Sequence, residues 1–191
     1  MNHINDIIKN RRSIFPNMYT GQPVSDDIIK QLLENANWAP NHRHTEPWRF
    51  KVYTGEALAR LGDKLAELYQ RYTSAEKFQE RKHKKIAQKP RLSSHMIAIC
   101  MQRDPQESVP EWEEMCAVAC AVQNIWLTAT AYNVGGYWSS PGLIQREELR
   151  DFLGLKSNER CMGFFYVGHY DGEMPMSKRQ PIEEKTEWVR Q

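Results

Sequence analysis

Two short stretches carry the side chains best suited to chemistry. "NRRSIF" places Arg11, Arg12 and Ser13 where the first helix-like segment gives out. Guanidinium groups bind phosphate through forked, charge-assisted hydrogen bonds, and a serine hydroxyl adds a donor. The competing reading is a helix C-terminus, where arginine is favoured by the backbone dipole alone. "WAPNHRHTEPWRF" packs two tryptophans, two prolines and two histidines into a stretch that reads as a stiff aromatic loop, with Trp38 and His42 inside it.

Other chemistry is missing from the sequence. There is no G-x-G-x-x-G, no Walker A motif, no G-x-S-x-G elbow and no H-E-x-x-H. Asp and Glu form no recognisable catalytic pair. Anion-binding groups and aromatics without an acid, base or nucleophile suit a protein whose cofactor carries the reaction. Cys116 and Cys120 stand four residues apart but lack two further ligands, so no metal is expected. The four cysteines read as buried, reduced thiols of a cytoplasmic protein.

The elements that must position these groups follow from periodicity. Ile4, Ile7 and Ile8 line a short first helix. Ser25 caps a second, with Ile28, Ile29, Leu32, Leu33 and Ala36 on one face and Pro40 at its end. "WRFKVYTG" alternates as a strand, and Leu58 to Tyr72 form a third helix. "EKFQERKHKKIAQKPR" is basic and polar; a solvated face is the simple reading, and a cap attracting a phosphate the sharper one. "MIAICM" and "CMGFFYVGHY" read as buried strands, and "QREELRDFLG" as a short helix. Met115 to Val134 is apolar almost all round, so it must bury most faces, centrally or against another subunit. The "GG" of Gly135 and Gly136 is expected to stop it, and "YWSS" to be extended. Gln123 and Asn124 are expected to satisfy buried backbone. Helices interleave with strands without a βαβ rhythm, which favours an α+β sandwich.

The chain has 191 residues, 40% apolar and 26% charged, with net charge +2. That is a single soluble domain with no field for nucleic acid. The N-terminus has no apolar leader, and no run has the length of a membrane span.

In order, "RRSI", "APNHRHTEPWRF", "GGYWSS" and "SKRQP" resemble the nitroreductase family of flavoenzymes over essentially the whole chain, closest to its short YdjA-like branch. The resemblance implies a central, mainly antiparallel sheet flanked by helices in an intertwined homodimer. It implies one domain over residues 1–191, its tail from about 171 to 191 extended over the partner. It implies FMN at the interface, NAD(P)H as donor, and ping-pong hydride transfer through flavin N5 to a nitroaromatic, quinone or enone. No side chain is expected to be catalytic. Arg11, Arg12 and Ser13 fall on the FMN phosphate and ribityl motif. Trp38 and His42 fall on the loop that reaches the flavin from the partner. Trp138, Ser139 and Ser140 fall along the isoalloxazine, and Lys178 and Arg179 on a C-terminal phosphate site. Two departures concern the redox potential: Phe15 stands where many members carry a cation, and Glu46 where many carry glutamine. A non-redox flavin-binding protein and a dehalogenase-like or flavin-modifying relative are the alternatives on the same fold.

Overall fold

The computed structural model describes residues 3–190. Four strands form one antiparallel sheet in the order β1 (Trp48–Thr54), β2 (His95–Gln102), β4 (Glu159–His169), β3 (Val134–Ser139). Helices α1 (His3–Asn10), α2 (Asp26–Asn37), α3 (Glu56–Arg71), α4 (Glu80–Arg91), α5 (Glu111–Ala131) and α6 (Glu147–Phe152) flank it. The α+β sandwich read from the sequence is therefore the observed architecture. No helix among the described residues is long and apolar enough to cross a membrane.

Successive side chains of a strand point to opposite faces, and β2 uses both. Ile97, Ile99 and Met101 pack with Leu32, Ala36, Val118 and Ile125 beneath α2 and α5. Met96, Ala98 and Cys100 pack with Leu61, Leu65, Leu68 and Leu149 beneath α3 and α6. A central strand covered on both sides needs a continuous apolar run rather than alternation, and "MIAICM" supplies it. Ser25 caps α2 by accepting from the Ile28 N–H (3.4 Å).

Several sequence expectations need correction. Gly135 and Gly136 do not stop α5. The helix ends at Ala131, Asn133 turns the chain at φ 53°, and both glycines lie inside β3. They serve close approach instead: a Cβ on Gly136 would fall 2.5 Å from the Phe165 ring, and one on Gly135 2.9 Å from Tyr19. Helix α2 ends at Asn37, ahead of Pro40, with Trp38 as its C-cap. Cys100 and Cys161 are buried, but Cys116 and Cys120 are exposed. Gln123 is exposed as well, whereas Asn124 does donate to a backbone carbonyl, that of Asn35 (3.0 Å).

Two apolar surfaces find no cover within the chain. Ile4 and Ile8 of α1 are each about half exposed. On α5, Val118, Val122 and Ile125 face the core, while Trp112, Met115, Cys116 and Cys120 face outward. Residues 171–190 form no strand and only one short helical turn, Ile182–Lys185. Their Met176, Ile182, Trp188 and Val189 are open to solvent.

Candidate functional site

The segment after α1 is stitched to the end of the sheet. Ser13 bridges Gly136 in parallel, and the Ile14 N–H donates to the Gly136 carbonyl (3.0 Å). Tyr19 locks the arrangement. Its phenol lies under the glycines and donates to the carbonyls of Ile14 (3.0 Å) and Tyr166 (3.1 Å). Burial pushes that phenol's pKa upward, with the neighbouring Tyr166 adding to the effect. Arg11, Arg12 and Ser13 are thereby held beside the "GGYWSS" strand rather than left on a free helix end.

The three arginines expected at a phosphate come together. Arg11's pKa is lowered, first by desolvation and then by repulsion from Arg179 and Arg12. Its guanidinium lies over the Trp126 indole, 4.4 Å from the ring centroid. The Trp126 N–H donates to the Arg12 carbonyl (3.0 Å). Arg12 Nε donates to the Pro175 carbonyl (2.9 Å), which ties the C-terminal tail to the same place. Arg179 donates to Ser177 Oγ and to the Lys178 carbonyl, and both Lys178 and Arg179 are exposed. No carboxylate of the described residues pairs with Arg11, Arg12 or Arg179. A gathering of like charges without a counter-ion suits an external anion.

Trp138, Ser139 and Ser140 run out from the end of β3. A Cβ on Gly163 would meet the Ser139 carbonyl at 2.5 Å and Trp138 Nε1 at 2.7 Å, and Gly163 sits at φ 128°. Only glycine lets β4 take that conformation so close to Trp138. Trp138 Nε1 is buried and has no hydrogen-bond partner. A cavity of about 1330 Å³ opens beside it, with Met115, Ile144 and Met162 as apolar wall and Arg103, Arg150 and Arg160 among its charged residues. Beneath one side, Arg103 pairs with the fully buried Glu114, which also accepts the Asp104 N–H (2.8 Å).

The aromatic loop lies elsewhere on the same chain. Trp38 is 79% exposed, and His42 Nδ1 meets Glu113 Oε2 at 2.6 Å on the first turn of α5. Arg43, His44 and Glu46 all have positive φ (53°, 54° and 39°), a concentration of left-handed backbone that is costly for non-glycine residues. Asn41 accepts the Glu46 N–H (3.1 Å), and Trp48 Nε1 donates to Asn37 (3.0 Å), so the strained turn is pinned at both ends. Among the described residues, no hydrogen bond joins Trp38 or His42 to Arg11, Arg12 or Ser13. His42 instead meets the first turn of α5, while Trp38 caps α2 and donates to Glu34 of the same helix.

Two participants escaped the sequence reading. Trp126 reads there as part of an apolar helix, yet it supports both arginines. Lys89 reads as one of many surface cations, yet its ammonium lies 5.6 Å from the Tyr137 ring centroid. Tyr137 in turn packs on Phe15 with centroids 4.6 Å apart. Lys89 is therefore linked through the Tyr137 ring to Phe15.

The fold is an α+β sandwich with arginines beside its edge strand β3. The comparisons narrow it. The Nitroreductase family model matches residues 8–169. A Bacillus subtilis (strain 168) protein named "Putative NAD(P)H nitroreductase YfhC" is 30% identical over 184 residues, 95% of this chain and 92% of that one. The crystal structure of a nitroreductase-like family protein from Bacillus cereus superposes with a TM-score of 0.82 at 29% identity, covering 99% of this chain and 97% of that one. The FMN-dependent nitroreductase NfnB of Mycobacterium smegmatis, solved with NADPH, shares the fold at 17% identity, with a TM-score of 0.74 and 97% of each chain covered. The chain belongs to the nitroreductase family.

Proposed function

We propose that this protein is an FMN-dependent NAD(P)H oxidoreductase that reduces a small oxidised acceptor of nitroaromatic, quinone or enone type by a ping-pong route. The observation that carries the reading is the counter-ion-free cluster of Arg11, Arg12 and Arg179 beside Ser13 and the Trp138–Ser140 strand. Relatives supply the cofactor identity: NfnB is FMN-dependent and was solved with NADPH, and YfhC carries NAD(P)H nitroreductase in its name.

The chemistry of a bound FMN is hydride acceptance at N5 from NAD(P)H, followed by reduction of the second substrate at the same face. The chain's own work is positioning. Arg11, Arg12 and Arg179, with Lys178 adjacent, hold the phosphate, and Ser13 adds a donor. Trp138, Ser139 and Ser140 set the plane of the ring. Lys89 supplies positive charge near the pyrimidine edge, where reduced flavin gathers negative charge. Hydride transfer to N5 needs alignment rather than a titrating side chain, so no residue is needed as acid or base for flavin reduction.

The unit that does this is a homodimer of one-domain chains, residues 1–191. The outward face of α5, the open side of α1 and the apolar residues of the tail are what a self-complementary interface would cover. His42, held on α5 by Glu113, and the exposed Trp38 would reach the partner's FMN, while the tail from about 171 to 191 would lie over the partner. The cavity beside Trp138 exceeds the usual 300–1,000 Å³ of a small-molecule site, so a partner chain would fill part of it. Four free cysteines suit a reducing, cytoplasmic setting.

Anaerobic mixing tests the reading. Purified protein should be yellow and should bleach with NADPH or NADH, then recover colour on adding a quinone. Colour without bleaching by either dinucleotide would make it a flavin binder and end the oxidoreductase reading.

A further inference from the structure

Helix α4 holds the most lopsided charge on the molecule. Residues 76–91 contain seven Lys or Arg against two Glu, while the whole chain is only +2. The rest of the chain is therefore net acidic, and the positive field is concentrated on one side.

Part of this charge has a local explanation. Lys84 pairs with Glu80 (3.5 Å), and Arg91 with Asp63 (2.7 Å). Lys82 lies over Tyr69, 5.0 Å from its centroid. Arg81 and Lys85 have no such partner among the described residues, and both are exposed. They stand at i and i+4, with Lys89 four further on. Like charges at that spacing oppose helix formation. A merely solvated face would alternate signs. Breaking a local rule without local compensation points to a ligand.

The helix is also held rigidly enough to present a site. Its inner side approaches α3 so closely that a Cβ on Gly62 would fall 2.5 Å from the Ala87 carbonyl. The Tyr69 hydroxyl accepts the Gln79 N–H (3.1 Å) at the helix start. A shallow cavity of about 500 Å³ opens between Glu80, Arg81, Lys84, Lys85 and Gln88, and its one carboxylate, Glu80, is taken up by Lys84. At 1.5 Å per residue, the row Arg81–Lys85–Lys89 spans roughly 12 Å. Its inner end is Lys89, over Tyr137 and beside Phe15; its outer end is the cavity at Arg81.

We propose that Arg81 and Lys85 bind the 2′-phosphate of NADPH and so make this chain select NADPH over NADH. The inference rests on the oxidoreductase reading and adds to it. The nicotinamide must approach the flavin, and the adenosine end of the same extended molecule lies many ångströms away. A row of cations that begins at Lys89, over Tyr137 in the same strand as Trp138, and ends in an unpaired pair matches that shape. NADH lacks the 2′-phosphate and gains nothing from the pair. The site is exposed, so its contribution should weaken with added salt.

Two probes that differ only in the 2′-phosphate provide the test without any redox step. Calorimetric titration of the flavin-loaded protein should show 2′,5′-ADP binding about tenfold or more tighter than 5′-AMP, equivalent to one 1.4 kcal/mol increment. Arg81→Glu/Lys85→Glu should abolish the gap, and Lys30→Glu, an exposed cation on α2, should leave it. Equal binding of both probes by the unmodified protein, or a gap that survives the double variant, would overturn the proposal. In anaerobic reduction, the double variant should lower kcat/KM for NADPH by about tenfold and leave NADH within about twofold. Parallel losses for both dinucleotides would overturn it too. Bleaching without discrimination defeats the phosphate site alone. Discrimination between the probes without bleaching by either dinucleotide supports the phosphate site and defeats the oxidoreductase reading.

Discussion

The guanidinium of Arg11 lies 4.4 Å from the centroid of the Trp126 indole, and the same indole donates its N–H to the carbonyl of Arg12 at 3.0 Å. One tryptophan on α5 thus supports two consecutive arginines, one through its π-face and one through its edge. A cation over an aromatic face is worth about 0.5–2 kcal/mol depending on desolvation, and a neutral hydrogen bond about 0.5–1.5 kcal/mol. Trp126→Phe keeps a π-face and loses the donor; Trp126→Leu loses both. FMN affinity, read by quenching of flavin fluorescence, is expected to fall several-fold in the first and by more than about tenfold in the second. Equal affinity in both variants would show that Trp126 is only filling space.

The arginine cluster should behave as a destabilising feature that an anion relieves. Burial and repulsion from Arg179 and Arg12 hold the Arg11 pKa below its ordinary value. Arg11→Ala is expected to leave the apo-protein's melting temperature unchanged or slightly raised, while FMN binding weakens by about tenfold or more, because charge-assisted bonds to phosphate are worth roughly 1.5–3 kcal/mol each. Arg179→Ala should do the same. Inorganic phosphate should raise the apo melting temperature of the unmodified protein more than chloride at matched ionic strength, and the Arg11 variant should lose that difference. Full flavin content and unchanged affinity in both variants would remove the arginines from the cofactor site.

Lys89 offers a test of how the chain manages without a cation at position 15. Its ammonium is placed by the contact with Tyr137, which packs on Phe15 with the two rings tilted at 53°. Lys89→Met should lower the flavin midpoint potential. For a two-electron couple, roughly 30 mV corresponds to 1.4 kcal/mol of lost preference for the reduced form. Adding Phe15→Lys to that variant should restore part of the loss. Equilibrium titration against reference dyes reads both, and a potential that ignores Lys89→Met would leave it as a surface cation.

The loop between β2 and α5 should loosen in acid. Asp104 accepts from the hydroxyl and N–H of Ser108 and from the Gln106 N–H. These bonds, the Ser108 hydroxyl first, hold its carboxyl below the ordinary aspartate value of 3.8. A depressed folded-state pKa gives a contribution that is complete above the unfolded value and fades as pH falls through the folded one. Protection of the Ser108 amide, relative to its intrinsic exchange rate at each pH, should therefore be constant above about pH 5 and fall below pH 4. Asp104→Asn should bring the acid behaviour to neutral pH.

The sheet, both of its covered faces and the main helices were legible because burial leaves a periodic trace: β2 as an unbroken apolar run, α2 as a capped amphipathic stripe. The arginine cluster was legible only through motif order, since Arg11 and Arg179 are far apart in the chain and nothing local joins them. Three features left no such trace. Gly135 and Gly136 read as a helix stop because glycine signals turns, but here its missing side chain admits Tyr19 and Phe165. The left-handed run at Arg43, His44 and Glu46 uses residues with no preference for positive φ, so only the fold reveals it. Lys89 and Trp126 earn their roles from neighbours distant in sequence. Cys116 and Cys120 were expected inside because cysteine usually is; a single chain leaves them out.

That exposure leads to the last prediction, that the active species is a dimer closed over α5. The helix turns Val118, Val122 and Ile125 to its own core and presents Trp112, Met115, Cys116 and Cys120 outward. His42 meets the first turn of this helix, Trp38 is 79% exposed, and α1 leaves Ile4 and Ile8 uncovered. Isolated apolar residues on a surface need no explanation, but a contiguous face along a 21-residue helix does. Obligate interfaces bury on the order of 2,000–5,000 Å² and leave no stable folded monomer. Light scattering should give twice the chain mass of 22.4 kDa for holo and apo protein alike. Cys120→Arg places a charge in the middle of the face without touching the arginine cluster. It should lower the mass, the melting temperature and FMN retention together, because Trp38 and His42 would no longer reach the partner's flavin. Cys120→Ala, which keeps the face small and neutral, should retain all three. A 22.4 kDa species that keeps FMN one to one would show that each chain holds its flavin unaided.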